Sequence, residues 1–236
     1  MKPYYEHGGI TIYHGDCREI LGLLPAHSVD LVVSDPPYGM SWRSNQRRVA
    51  MPVIVGDDGS LDVADAVRQM LRVVREGRHL YLFGSYDLSS LPVSCPVELI
   101  WDKGQMSGGD VSQPWGRSDE RIMFCVSQIR QPKRTRGGET LSARLRKGSV
   151  VRCQRLNSVQ VNRHPTEKPV SILRQLIESS SVMGETVCDP FAGVGSTLVA
   201  AALEGRKAIG IEIEESYCEI AAKRLQQEVL PLETTA

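Results

Sequence analysis

Asp35-Pro36-Pro37-Tyr38 sets a carboxylate, two rigid carbonyls and an aromatic ring in one short stretch. It follows the apolar run Val29-Asp30-Leu31-Val32-Val33-Ser34, which reads as a buried strand that two prolines must end. The four groups are therefore expected at the carboxyl edge of a sheet, where open α/β folds bind their ligands. Such a set suits a planar base that carries an amino group. The ring can stack on the base, while the carboxylate and a carbonyl accept its two N–H bonds. Taken alone, the tetrapeptide is explained equally well as a strand running into a Pro-rich turn.

A second constellation lies toward the other end of the chain. Thr186-Val187-Cys188 reads as a strand ending at Asp189-Pro190. Phe191-Ala192-Gly193-Val194-Gly195-Ser196-Thr197 leads from it into a helix over Leu198 to Leu203. Gly193 and Gly195 allow a ligand to come close to the backbone. Glu212 follows Gly195 by seventeen residues and stands near the end of the next strand, Lys207 to Ile213. An acid at about that distance, roughly 20 residues on, is placed to bind ribose hydroxyls. The combination predicts an adenosine-containing cofactor. A dinucleotide site usually has a third glycine, and Leu198 stands in its place here. That departure disfavours NAD. S-adenosylmethionine has no pyrophosphate to cradle and is unaffected by it.

The elements that must position these groups alternate along the chain. Thr11-Ile12-Tyr13 is a strand candidate, and a helix from Asp16 to about Leu24 follows, with Glu19 at capping-box spacing from Asp16. Ser60 is expected to cap a helix with Val63, Val67, Met70, Leu71 and Val74 on its inner face, ended by Gly77. Strands are expected at Leu80–Phe83, Val97–Trp101 and Arg121–Val126. Pro169 fits the first position of a helix with the stripe Val170, Leu173 and Ile177. A last helix buries Tyr217, Ile220, Ala221 and Leu225. This order predicts an α/β fold, a doubly wound and mostly parallel sheet covered on both faces, in one domain over 1–236. Residues 39–60 read as a loop that can move, and 128–163 as a basic insertion.

Hydrophobic residues make up 41% and charged residues 24%, which is ordinary for a globular protein. No apolar run is long enough for a membrane helix, and Met1 to His7 has no apolar signal core. The expectation is a cytoplasmic protein with reduced thiols, because no two of the six cysteines form a Cys-x-x-Cys pair. No metal is expected, since the five histidines are scattered. The zero net charge hides an asymmetry. Ten basic residues and one acid lie between Gln128 and His164, about +9, against about −9 elsewhere (18 − 27). A local field of that size can attract a polyanion, although a solvated basic loop has the same composition.

With both motifs in hand, the chain resembles the DNA amino-methyltransferases, which methylate adenine N6 or cytosine N4. In that family Asp-Pro-Pro-Tyr is catalytic and Phe-x-Gly-x-Gly binds S-adenosylmethionine. The order, Asp35–Tyr38 before Phe191–Gly195, resembles the circularly permuted beta group. His14-Gly15-Asp16-Cys17, His164-Pro165-Thr166-Glu167-Lys168-Pro169, Trp101-Asp102-Lys103 and Ser118-Asp119-Glu120-Arg121 are similar to further motifs of that group.

The resemblance implies a Rossmann-like methyltransferase fold. It also implies transfer of methyl from S-adenosylmethionine to adenine N6 of double-stranded DNA by base flipping. Asp at position 35 resembles the adenine enzymes. Cytosine N4 is the alternative, and RNA a more distant one. Asp35, Pro36, Pro37 and Tyr38 are the implied catalytic set. Asp16, Cys17, Asp35, Lys168, Asp189, Phe191, Ala192, Gly193, Gly195, Ser196, Thr197, Glu212 and Ile213 are the implied cofactor contacts. Asp16 reads equally as a helix cap, and Thr197 as a packed helix hydroxyl. DNA contacts are expected from Arg43, Arg47 and Arg48 after the catalytic turn. The basic segment adds Arg130, Lys133, Arg134, Arg136, Arg144, Arg146, Lys147, Arg152 and Arg155. A homodimer and a restriction endonuclease partner are both compatible with the resemblance. Neutralising several arginines between 130 and 155 should weaken DNA binding and flatten its salt dependence, by about 0.9 in log–log slope for each phosphate no longer neutralised. An unchanged slope in a salt titration would place the DNA elsewhere.

Overall fold

Short apolar strands and one-sided helices assemble into a single sheet with helices on both faces. The structure is a computed structural model and describes residues 1–37, 61–104, 112, 114–127, 147–154 and 167–228. In chain order the elements are β1 (Tyr5–His7), β2 (Ile10–His14), α1 (Cys17–Leu23), β3 (Val29–Ser34), α2 (Val63–Val73), β4 (Val74–Phe83) and β5 (Val93–Asp102). They continue with β6 (Asp119–Ser127), β7 (Val150–Arg152), α3 (Val170–Ser180), β8 (Thr186–Asp189), α4 (Ser196–Leu203), β9 (Lys207–Glu212) and α5 (Glu215–Glu228). The strands lie in the order β1-β2-β9-β8-β3-β4-β6-β5-β7. Only β1 and β6 run against the common direction among these described strands. The expected doubly wound, mostly parallel α/β sheet is therefore the fold observed.

Its centre is β3, all six of whose residues are buried. On one face Leu31, Val33, Tyr81 and Phe83 pack with Ile172, Leu173, Leu176 and Ile177 of α3, with α4, and with Ala221 and Leu225 of α5. On the other, Val32, Leu80 and Leu82 pack with α1 and with Ala66, Val67, Met70 and Val73 of α2. Asp30 is the polar member of β3. Its carboxylate is satisfied by Arg75 and by the Thr186 N–H at 2.9 Å, which ties the start of β3 to the start of β8.

β3 is flanked by β8 on one side and β4 on the other. From β3 the chain leaves toward β4, and from β8 it leaves toward β9, in opposite directions across the sheet. The two connections part above the carboxyl ends of β3 and β8. This is the topological switch point, where a crevice opens in folds of this kind.

Several local expectations are corrected. Asp62 caps α2, accepting from the Asp65 N–H at 3.2 Å; Ser60 lies outside the described residues. Gly77 does not end α2. The helix stops at Val73 because Val74 is captured by pairing with Val29, and Gly77, at φ +73°, supplies the irregularity as the register shifts within β4. Asp16 caps α1 through the Arg18 N–H at 2.8 Å. β1 was not anticipated; it folds back on β2 through Gly8 and Gly9, both at positive φ. β7 was not anticipated either. It lies inside the basic segment and adds to β5, so part of 128–163 belongs to the sheet. No helix among the described residues is long and apolar enough to cross a membrane.

The glycine turn is shaped by packing as much as by any ligand. Gly195 is the N-cap of α4 at φ +80°, and a Cβ there would lie 2.8 Å from Ala221 Cβ and 3.3 Å from Ala221 Cα. Both the positive φ and the close approach of α5 require a glycine here. A Cβ on Gly210 would lie 2.7 Å from Leu198 Cδ1. The tight helix–strand contact that a third glycine of the turn would allow is thus provided from the strand side, and Leu198 fills the space. Gly193 differs: at φ +51°, a Cβ there meets nothing within 4 Å. Gly195→Ala should therefore cost about 2–4 kcal/mol from strain plus overpacking, and Gly193→Ala about 1 kcal/mol from strain alone. Equal urea midpoints for the two variants would contradict this account.

Candidate active site

Three acids end three adjacent parallel strands. Glu212 ends β9 and Asp189 ends β8; Asp35 follows β3 by one residue. Two strand spacings separate the outer pair, about 10 Å. They line the switch-point edge, so the chemistry predicted for widely separated segments converges in one crevice.

Asp35 is half-buried and pairs through Oδ2 with Lys168 Nζ at 2.8 Å. Lys168 also pairs with Glu120 Oε1 at 2.8 Å, and Glu120 Oε2 pairs with Lys103 Nζ at 2.8 Å. The Lys168 ammonium lies 5.0 Å from the centre of the Phe83 ring. Lys168 is therefore neither a solvated residue at a helix start nor a lone cation. Burial works against both charges here. Asp35 and Glu120 nevertheless outweigh it and hold the Lys168 pKa above that of a free lysine. Lys168 and Lys103 likewise outweigh burial and hold the Glu120 pKa below the ordinary glutamate value.

Pro36 is buried, and its carbonyl accepts from the Tyr86 hydroxyl at 2.9 Å. One lone pair of that carbonyl is thus used, and the second remains for the amino hydrogen assigned to it. Pro37 completes the turn at the end of the described segment. Tyr38 lies outside the described residues.

Asp189 is buried at 4% exposure, and its partners are small donors. Ser34 Oγ donates at 2.8 Å and the Phe191 N–H at 3.1 Å, both to Oδ1, and the Thr197 hydroxyl also bonds it. Burial raises its pKa to about 6; the three hydrogen bonds oppose this, and the nearby Asp35 charge adds to it. Burial also raises the pKa of Glu212, which accepts from Gly193 N–H at 2.7 Å and Glu214 N–H at 2.9 Å. Glu212 is thereby fixed to the glycine turn rather than exposed beside Glu214 and Glu215. The Gly15 N–H donates to the Glu212 carbonyl, and His14 Nε2 bonds the Ile213 carbonyl, so the loop carrying Asp16 is fastened to the same strand end.

The remaining assigned residues divide. Asp16 acts as a helix cap and pairs with Arg18, whose hydrogen bonds lower its pKa against burial. The Cys17 thiol is buried in the core beneath α1, where burial drives its pKa to about 12. Phe191 packs partly into the same cluster, and the Ala192 N–H is used by Ile211. The Ser196 hydroxyl is engaged with Glu167 and Arg224, a buried pair whose Glu167 Oε2 has no hydrogen-bond partner among the described residues. Thr197 serves Asp189. Ile213 is exposed.

Two of the expected DNA contacts are described. Arg152 ends β7 at the same edge as Asp35 and is largely exposed, 3.6 Å from Asp102. Lys147 is paired with Glu178 at 2.8 Å, roughly 12 Å along α3 from its start beside Lys168, so its charge is directed away from the crevice. Arg43, Arg47, Arg48, Arg130, Lys133, Arg134, Arg136, Arg144, Arg146 and Arg155 lie outside the described residues.

The sequence marks Glu120 and Lys103 as parts of motifs without indicating a role for either. Their charges become meaningful only when β5 and β6 bring them beside Lys168. Tyr86 had no sequence signal at all. No cluster of three or more potential metal ligands occurs among the described residues.

The sheet order sets these acids at the switch point, where α/β proteins of this kind bind their ligands. Residues 92–223 match the family described as DNA methylase, and the chain belongs to this N6/N4 DNA methylase family. DNA adenine methyltransferase YhdJ of Escherichia coli K12 is 27% identical over 91% of this chain and 82% of its own. A putative DNA modification methylase of Thermus thermophilus, solved in complex with S-adenosyl-L-methionine, has a TM-score of 0.65 at 23% identity, covering 93% of this chain and 94% of that one. The cytosine-N4-specific PvuII DNA methyltransferase has a TM-score of 0.67 at 16% identity, covering 94% and 88%. At these identities the two structures establish the shared fold.

Asp189 carries a pH prediction. Its folded pKa of about 6 lies above the ordinary value of 3.8, so the folded state holds the extra proton between these limits. Stability therefore falls as pH rises from about 4 to 6, by at most about 3 kcal/mol. Asp189→Asn, which keeps the oxygen facing Ser34 and Phe191, should match the wild type at pH 4 and exceed its urea midpoint at pH 7. A pH-independent difference between the two would refute the buried charge.

Proposed function

We propose that the protein is an S-adenosylmethionine-dependent DNA methyltransferase that acts on the N6 amino group of adenine, flipped out of double-stranded DNA. The observation that carries this reading is the convergence of Asp35, Asp189 and Glu212 at the ends of β3, β8 and β9. The YhdJ relationship and the aspartate at position 35 favour adenine.

The residues present fit the cofactor. Glu212, bonded to the glycine turn, is assigned to its ribose hydroxyls, and the open side of Gly193 leaves room against the turn. A row of carboxylates with raised pKa values at Asp189 and Glu212 suits a molecule that carries a cationic sulfonium. When bound, that group supplies an electrophilic methyl.

Asp35 and the Pro36 carbonyl accept the two hydrogens of the target amine. Its lone pair is normally delocalised into the base. Two acceptors on one side favour a pyramidal nitrogen, and the lone pair is freed for attack. This is catalysis by position and preorganised electrostatics. The methylated nitrogen is cationic and strongly acidic, so Asp35 can take its proton directly or through water. Tyr38, next in the chain, is assigned to stack on the base. Arg152 lies at the edge where the duplex would approach. Cytosine N4 presents the same amine beside a ring nitrogen and would use the same steps.

Asp35→Ala should lower methyl transfer by about a thousandfold or more while S-adenosylmethionine affinity stays within a few-fold. Radiolabelled transfer and calorimetry measure the two. Wild-type turnover in the variant would sink the mechanism. Modified-base sequencing of DNA from expressing cells should find N6-methyladenine; N4-methylcytosine would replace the adenine assignment.

A further inference from the structure

We propose that Glu120, backed by Lys103, is a positioning residue for Asp35: it holds the Lys168 ammonium against Asp35 Oδ2 and so fixes the orientation of the acceptor carboxylate. This rests on the reading of Asp35 as the acceptor of the amino hydrogen.

The four groups form a row of alternating charge, Lys103, Glu120, Lys168 and Asp35, with 2.8 Å at each contact. They come from four different parts of the chain. Lys103 follows β5, Glu120 is the second residue of β6, Lys168 precedes α3, and Asp35 follows β3. The β5–β6 register brings them together, since Trp101 pairs with Glu120 and the Lys103 N–H donates to the Ser118 carbonyl. β6 adjoins β4, and its first residues lie at the carboxyl edge of the parallel strands, where Ile122 is paired with Phe83. The reversed strand thus projects an acid toward the crevice from its amino end.

A lysine has a long, flexible stem and three donors. A single contact with Asp35 would hold the ammonium from one side. Glu120 supplies a second anchor on the far side, and the Phe83 ring lies against the cation. Lys103 in turn keeps Glu120 paired at its other oxygen, so the row as a whole is neutral. Among the described residues, Asp189 lies near Asp35, and the Glu167–Arg224 pair includes the residue next to Lys168 in the chain. That pair is internally compensated. Glu120 is 20% exposed and Lys168 10%, so solvent screens the row only partly. Each charge in the row is therefore felt by its neighbour with alternating sign.

The sign alternation gives a test that a purely structural role would not pass. The Lys168 titration is followed by NMR on cofactor-free protein labelled at lysine side-chain carbon. Glu120→Gln should move the Lys168 midpoint down by about one to three pH units, and Lys103→Met should move it up or leave it in place. Glu120→Asp should restore most of the wild-type midpoint. In methyl-transfer kinetics, Glu120→Gln should lower kcat about tenfold or more with little change in KM for DNA. The alkaline limb of its pH profile should move down with the lysine. A Lys168 midpoint that does not respond to Glu120→Gln, or that falls equally in Glu120→Gln and Lys103→Met, would overturn the proposal. So would a shifted midpoint with unchanged kcat. Asp35→Ala kinetics test the underlying reading separately, because the titration uses no DNA and no cofactor.

Discussion

Parallel pairing of β3 with β8 is the contact on which the site depends. The two strands are about 155 residues apart in the chain, and only their register, Leu31 with Val187 and Val32 with Cys188, brings Asp35 beside Asp189. Closing such a separation is entropically unfavourable, and burial of β3 on both faces offsets it. Asp30 adds a polar lock at the opposite end, through the Thr186 N–H. Because the connections leave these strands in opposite directions, the crevice is a consequence of the winding rather than of a separate lobe. The Asp35–Pro37 turn and the glycine turn then face one another by construction.

The crevice concentrates charge that a stable core would exclude. Lys168 and Glu120 compensate one another and remain ionised despite their burial. Asp189 is held by hydroxyls and an N–H, and its raised pKa is the sign of a charge that destabilises the protein. Glu212 shares this character. The unfavourable charge is confined to the strand ends that would meet a cationic cofactor, whereas the row leading to Asp35 is balanced. Functional sites commonly hold groups perturbed in this way. Here the two halves of one edge have opposite electrostatic designs.

Most of the fold was legible because its signals are local. β3, β8 and β9 announced themselves as apolar runs, and the strand–glycine turn–helix element identified both its strand and its helix. The misreadings have a common origin in pairing between distant segments. Gly77 looked like a helix stop, yet α2 ended earlier because Val29 captured Val74. The basic composition of 128–163 gave no hint that Val150–Arg152 would join β5, since three residues have no period to read. Gly195 carried the right conformational signal, but its packing against α5, a segment 26 residues later, was invisible in the turn itself.

By itself the sequence determined the kind of chemistry: a carboxylate before two prolines, a glycine turn after a strand, and an acid ending the next one. These are covalent neighbours, and backbone sterics dictate how neighbours are presented. Tertiary structure decided which charges act together. Nothing in the spacing of Lys103, Glu120, Lys168 and Asp35 foretells a single row, nor does it show that the Cys17 thiol faces the core while Arg152 faces outward. Ion pairing depends on distance in space and on exclusion of water. Both are set only once β3 lies beside β8 and β6 is inserted, reversed, between β4 and β5.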